Sequence, residues 1–83
     1  MTWAVRWEPP AEKDLASVDK PIRKRILAAV GKLAEDPHPP GSRLVLTQGV
    51  WRIRVGDYRV KYDIIDGELV VVVIEVVHRS KAY

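Results

Sequence analysis

The chain contains no cysteine, which excludes a disulfide framework and any thiolate-ligated metal site. A reducing compartment is compatible with that absence. Long apolar runs are missing too. The longest, residues 69–74, falls far short of the ~20 residues that a bilayer-spanning helix needs. The opening Met1-Thr2-Trp3-Ala4-Val5-Arg6-Trp7 lacks the apolar core of a secretory signal. The expectation is a soluble, cytoplasmic protein. No internal repeat is present, and no His/Asp/Glu grouping has metal-ligand spacing, so neither metal nor cofactor is expected. With 83 residues there is room for one domain, spanning 1–83, with a small core.

What the chain does have is positive charge. Fourteen Lys and Arg stand against eleven Asp and Glu, a formal net charge of +3. Such a balance favours polyanionic or acidic partners, but its meaning depends on where the cations lie.

Trp3, Val5 and Trp7 alternate with Ala4, Arg6 and Glu8, the period of a half-buried strand, which Pro9 and Pro10 end. A short helix is expected over about residues 11–17. Asp19 is placed to cap a second helix, with Pro21 in its first turn, where a missing N–H costs little. Ile22, Ile26, Ala29, Val30 and Leu33 then recur at helical spacing. The pair reads as a helical hairpin with one apolar stripe. Beyond the proline-rich loop 37–42, strands are expected over 43–46, 50–55, 58–64 and 68–77, with turns at Thr47-Gln48-Gly49, Gly56-Asp57 and Asp66-Gly67. The nearly continuous apolar character of the last strand marks it as central, buried on both faces. These elements predict an α+β domain: a small antiparallel sheet with the N-terminal strand and the two-helix hairpin packed on one face, in β-α-α-β-β-β order.

A two-residue turn at Gly56-Asp57 fixes a register. Val55 then faces Tyr58, Arg54 faces Arg59, Ile53 faces Val60, Arg52 faces Lys61 and Trp51 faces Tyr62. One face becomes apolar and aromatic, suited to cover the helices. The other carries Arg52, Arg54, Arg59 and Lys61. A slip of one residue would mix the two sets, so burial itself favours this pairing. Charged residues are normal on a solvated sheet face, but like charges directly opposite one another cost stability. Three arginines so arranged point to an anion site.

The phase of the last strand stays open. A two-residue Asp66-Gly67 turn pairs Ile65 with Glu68 and aims Arg79 at the helix side. A three-residue loop puts Glu75, Val77 and Arg79 on the cationic face. His78 reads as a hydrogen-bonded strand-end residue, with general acid as the alternative. His38 reads as solvated. Trp51, Tyr58 and Tyr62 read as packing residues, Tyr62 with room for exposure at the sheet's rim. Arg23, Lys24 and Arg25 read as a solvated helix face, with ribosomal RNA as the alternative contact.

The segment Trp51-Arg52-Ile53-Arg54-Val55-Gly56-Asp57-Tyr58-Arg59-Val60-Lys61-Tyr62 resembles the "WRxRxGDYRvxY" block of RelE/ParE superfamily toxins. The ending His78-Arg79-Ser80-Lys81-Ala82-Tyr83 resembles the "HRxxxY" ending of the RelE-like branch. The hairpin and the Val-rich strand fit as well, so the resemblance spans nearly the whole chain. It implies a toxin of a toxin–antitoxin pair that cuts messenger RNA on the ribosome without a metal. It also implies a cognate antitoxin that covers the active face.

On that resemblance Arg52, Arg54, Arg59, Arg79 and Tyr83 match catalytic positions, with Lys61, Lys81 and His78 in supporting contact with RNA. Cleavage through the RNA's own 2′-hydroxyl needs that hydroxyl deprotonated, the phosphate charge stabilised and the 5′-oxygen protonated. Guanidinium forks suit phosphate oxygens. Tyr83 is then the group that orients the hydroxyl or takes its proton, and Arg79 stabilises charge at the leaving oxygen. The gyrase-inhibiting ParE-like branch and a non-catalytic RNA-binding module are the competing readings.

Overall fold

In a computed structural model, described here for residues 2–81, two helices lie on one face of a five-stranded sheet. Strand β1 (Ala4–Trp7) leads into helices α1 (Pro9–Ala16) and α2 (Lys20–Leu33). Strands β2 (Arg43–Val45), β3 (Val50–Val55), β4 (Tyr58–Ile65) and β5 (Val70–His78) follow. The α+β class and the hairpin placement agree with the sequence reading. The sheet, ordered β1-β5-β4-β3-β2, is mixed: β1 runs parallel to β5 and all other pairs are antiparallel. The segment at 43–45 is a true edge strand, so four strands follow the hairpin.

Pro9 and Pro10 both end β1 and begin α1, because helix first-turn residues need no N–H partner. The helix therefore starts two residues before Ala11. Asp19 stands at the N-cap of α2 without a side-chain cap bond. The apolar stripe of α2 buries Ile26, Val30 and Leu33 against the sheet. From the strands, Ile53, Val55, Val60, Tyr62, Val71, Val73 and Val76 close the same core.

Tyr62 is fully buried rather than at the rim. The proline-rich loop folds over it, and its hydroxyl donates to the Pro37 carbonyl at 2.7 Å. Burial pushes this phenol up to about 12, Asp36 adding to the rise while a bond with Ser42 opposes it. His38, exposed in that loop, meets the edge of Trp51 with centroids 4.5 Å apart.

The last hairpin follows neither anticipated turn. Residues 66–69 make a four-residue loop on a 3₁₀ turn, Leu69 takes a left-handed conformation (φ 54°), and Ile65 pairs with Val70. Tyr62 then pairs with Val73 but Lys61 with Glu75, so Ile74 is the extra residue of a β-bulge. The bulge resolves a conflict no regular strand could. Val71 and Val73 face the helices before it, and Val76 faces them after it. Without the shift, Glu75 would turn under the helices. With a shift at the turn instead, Val71 and Val73 would leave the core.

Candidate nucleic-acid interface

The β3–β4 register places Val55 opposite Tyr58, Arg54 opposite Arg59, Ile53 opposite Val60, Arg52 opposite Lys61 and Trp51 opposite Tyr62. It is the pairing expected from alternation. Gly56, with φ 58°, occupies the first turn position, where a side chain would be strained. The helices cover Ile53, Val55, Val60 and Tyr62, which leaves the arginines on the opposite face.

Across that face runs a row contributed by four strands: Arg43 opposite Arg52, Arg52 opposite Lys61, and Lys61 opposite Glu75. A second row holds Arg54, Arg59 and Val77. Arg43 was not anticipated. Its place depends on the short β2 edge, whose pairing the sequence does not announce. The signal was available in the Arg43-Leu44-Val45 alternation. Three like-charged facing pairs, each costing about 0.2–1 kcal/mol, are poor packing chemistry. Among the described residues, Lys61 alone meets an opposite charge in this row, with Nζ 3.6 Å from Glu75 Oε2.

Exposure grades the cations. Arg54 is exposed and Arg52 half-buried, whereas Arg59 retains only 4% of its surface. Arg54 and Arg52 thus form the accessible layer, with Arg59 beneath them. The Lys61 side chain is 13% exposed and its Glu75 partner 42%.

The C-terminal residues form a separate corner. The Arg79 N–H donates to the Asp57 carbonyl at 2.7 Å. Arg79 Nε lies 3.7 Å from Asp57 Oδ1. Arg79 therefore neither continues β5 nor points under the helices; it clasps the Gly56-Asp57 turn. Both side chains are largely exposed, so their ion pair contributes little to stability. His78 pairs with Tyr58 on the helix-covered side and meets it edge-on, centroids 5.2 Å apart. Its Nδ1 accepts from the Ser80 N–H at 3.2 Å and lies 2.9 Å from Ser80 Oγ. An accepting Nδ1 assigns the neutral ring's proton to Nε2. Lys81 is exposed in the 3₁₀ turn that follows. Tyr83 lies outside the described residues. The Arg25 guanidinium approaches the Gly56 turn, and Arg23 is half-buried beside the α1–α2 groove.

The two-helix hairpin on one face of a small sheet and the cationic cluster on the other agree with the resemblance to RelE/ParE superfamily toxins. The family model for the ParE toxin of the type II toxin–antitoxin system, parDE, matches residues 5–83. The chain belongs to this family and is a type II toxin. A RelE-like toxin protein of Escherichia coli is 26% identical over 84 residues, covering 99% of this chain and 88% of the relative. Among solved structures, the toxin–antitoxin complex RelBE2 from Mycobacterium tuberculosis matches with TM-score 0.83 and 28% identity, over 95% of this chain and 100% of that one. The free state of an Escherichia coli toxin RelE variant matches with TM-score 0.82 over 99% of this chain and 87% of that one. At 23% identity, it speaks for the fold alone. Among the described residues no helix is long and apolar enough to cross a membrane, and no group of His, Asp and Glu is arranged to hold a metal.

Proposed function

We propose that this toxin is an endoribonuclease that cuts messenger RNA on the ribosome, in the cytoplasm, by attack of the substrate's own 2′-hydroxyl. The observation that carries the reading is the accumulation of Arg43, Arg52, Arg54, Arg59 and Lys61 on the sheet face away from the helices. Like charges held side by side at a cost in stability are explained by a polyanion that neutralises them. Arg52 and Arg54 clamp the scissile phosphate. Arg59, fixed beneath them, adds a preorganised field where negative charge develops, at no reorganisation cost. Arg79 approaches from the Asp57 corner to stabilise the leaving oxygen, with Lys81 and His78 in contact with neighbouring RNA. Tyr83 orients the attacking hydroxyl.

A cognate antitoxin is the protein partner. RelBE2 is a toxin–antitoxin complex, and a basic face invites an acidic, partly helical segment that masks it and associates rapidly. The ParE description of the matching family model favours a second reading, inhibition of gyrase without RNA cleavage. One assay separates the two. Purified ribosomes programmed with messenger are incubated with the protein, and cleavage at the decoding site is read by primer extension. Cleavage supports the nuclease. Intact messenger, together with loss of supercoiling by purified gyrase, replaces it with the second reading.

A further inference from the structure

Whichever group orients the 2′-hydroxyl, its proton needs an acceptor already in basic form at neutral pH. A phenol near pH 10 meets that need only with strong cationic help, whereas a carboxylate is ionised throughout the neutral range. Among the described residues, Glu75 is the carboxylate that the register sets in line with the cations of the sheet face. Glu75 stands in the row with Lys61, Arg52 and Arg43, and its side chain is 42% exposed. Other acidic side chains nearby are otherwise engaged. Asp63 accepts from the Ile64 N–H at 2.8 Å, and Asp57 is held by Arg79 at the turn.

Three features place Glu75 there and keep it there. The Ile74 bulge turns it out from under the helices. The Val76 N–H, one residue further on, donates to Asp14 Oδ2 at 3.2 Å and fixes the strand just past the bulge. Lys61 Nζ, at 3.6 Å, holds the carboxylate in orientation. Glu75 also lines a notch of about 330 Å³ with Asp14, Ser17, Tyr58, His78 and Lys81. That notch admits a ribose, with Lys81 and the His78 ring beside the phosphate on its 5′ side and the scissile phosphate lying towards Lys61 and Arg52 along the row. The charged and titratable groups around Glu75 are thus Lys61 and Tyr58 from β4, Asp14 from α1, and His78 and Lys81 from the chain's end.

Resting on the nuclease reading, we propose that Glu75 is the general base of the reaction. Its carboxylate takes the 2′-hydroxyl proton as the 2′-oxygen forms its bond to phosphorus. The phosphorus–O5′ bond breaks, and its electron pair leaves on the 5′-oxygen, which takes a proton from solvent water. The products are a 2′,3′-cyclic phosphate and a 5′-hydroxyl end. The proton on Glu75 returns to solvent and restores the base.

The test is single-turnover cleavage of ribosome-bound messenger by the full chain, alongside separate ribosome affinities at one salt concentration. Glu75→Gln keeps size and shape, so cleavage should fall about 10²–10⁴-fold. Ribosome affinity should hold or rise, because a negative charge has left a polyanion-binding face. Glu75→Asp, which retains a carboxylate, should recover part of the rate. The parent's cleavage rate should be level from about pH 6 to about pH 8.5, where a carboxylate does not titrate. A parent rate that climbs tenfold per pH unit across that range would overturn the proposal in favour of a phenol. So would a Glu75→Gln protein that cleaves as fast as its parent, which would leave Glu75 as a counterion for Lys61. A parent that never cleaves removes the nuclease reading itself, a result distinct from either.

Discussion

The backbone N–H of Val76 donates to the Asp14 carboxylate at 3.2 Å, across a sequence separation of 62 residues. This bond joins the end of α1 to β5 where the parallel strand β1 no longer reaches. β1 pairs with β5 only from Val70 to Val73, so among the described residues the rest of that edge has no strand partner. Asp14 supplies the acceptor that a longer β1 would have provided. Asp14→Ala should strand the Val76 N–H in a residue only 5% exposed, at a cost of about 1–3 kcal/mol. Asp14→Asn, which keeps an accepting oxygen, should cost much less. Urea unfolding of the three proteins measures the difference, and equal midpoints would show that this bond does not anchor β5.

Arg54→Ala should divide function from stability. Arg54 is exposed and faces another cation, Arg59, so its loss should leave unfolding free energy within about 0.5 kcal/mol of the parent or slightly above it. Cleavage should fall about 10²–10³-fold, the usual effect of removing a donor aimed at developing charge. An unchanged single-turnover rate would take Arg54 out of the phosphate clamp.

Tyr83→Phe removes a hydroxyl and keeps the ring. With Glu75 as the base, Tyr83 orients the attacking group, so cleavage should fall moderately, about tenfold, with ribosome binding intact. A loss as deep as that of Glu75→Gln, combined with a rate that rises with pH in the parent, would transfer the base to Tyr83.

Tyr62 gives the fold an alkaline limit. Burial raises its phenol to about 12 in the folded chain, against about 10 for an unfolded tyrosine. The folded state therefore keeps the proton longer. The stability this provides is whole below about pH 10 and is lost as pH rises towards 12. Tyr62→Phe should lose about 1 kcal/mol near neutrality, for the missing bond to Pro37. It should also show a shallower fall than the parent between those pH values. Parallel alkaline curves in chemical denaturation would refute this assignment.

The β3–β4 hairpin was legible because its residues alternate strictly, from Trp51 to Val55 and from Tyr58 to Tyr62, around a turn that accepts positive φ at Gly56. A slip of one residue would have turned arginines under the helices. β5 offered no such constraint. Residues 70–74 are all apolar, so either phase satisfies the core and the bulge leaves no mark in the pattern. Arg79 was ambiguous for a different reason: it leaves the sheet and answers to Asp57, a contact set by geometry at the turn. The strand at Arg43 was legible, but the register that sets Arg43 opposite Arg52 was not, because a three-residue edge strand carries too little periodicity to fix it. The cations were thus readable where alternation was strict, while the face of Glu75 stayed open between two turns because the strand before it is uniformly apolar.

The 66–69 loop and the Ile74 bulge are two offsets of one alternating code. The loop fixes which side chains of β5 face inward at its start, and the bulge inverts that parity before Glu75 is reached. Deleting Ile74 would restore an unbroken ladder while leaving Glu75 opposite Lys61, since Tyr62–Val73 and Lys61–Glu75 would become consecutive pairs. Inserting one residue between Val70 and Val73 would exchange faces within the strand's first half, whereas the exposed 66–69 loop lies outside the ladder and can lengthen without moving the Ile65–Val70 pair. Length variation in this hairpin is therefore position-dependent: the chain can lose a residue at the bulge or gain one in the loop and keep its chemistry, but it cannot gain one inside the first half of the strand.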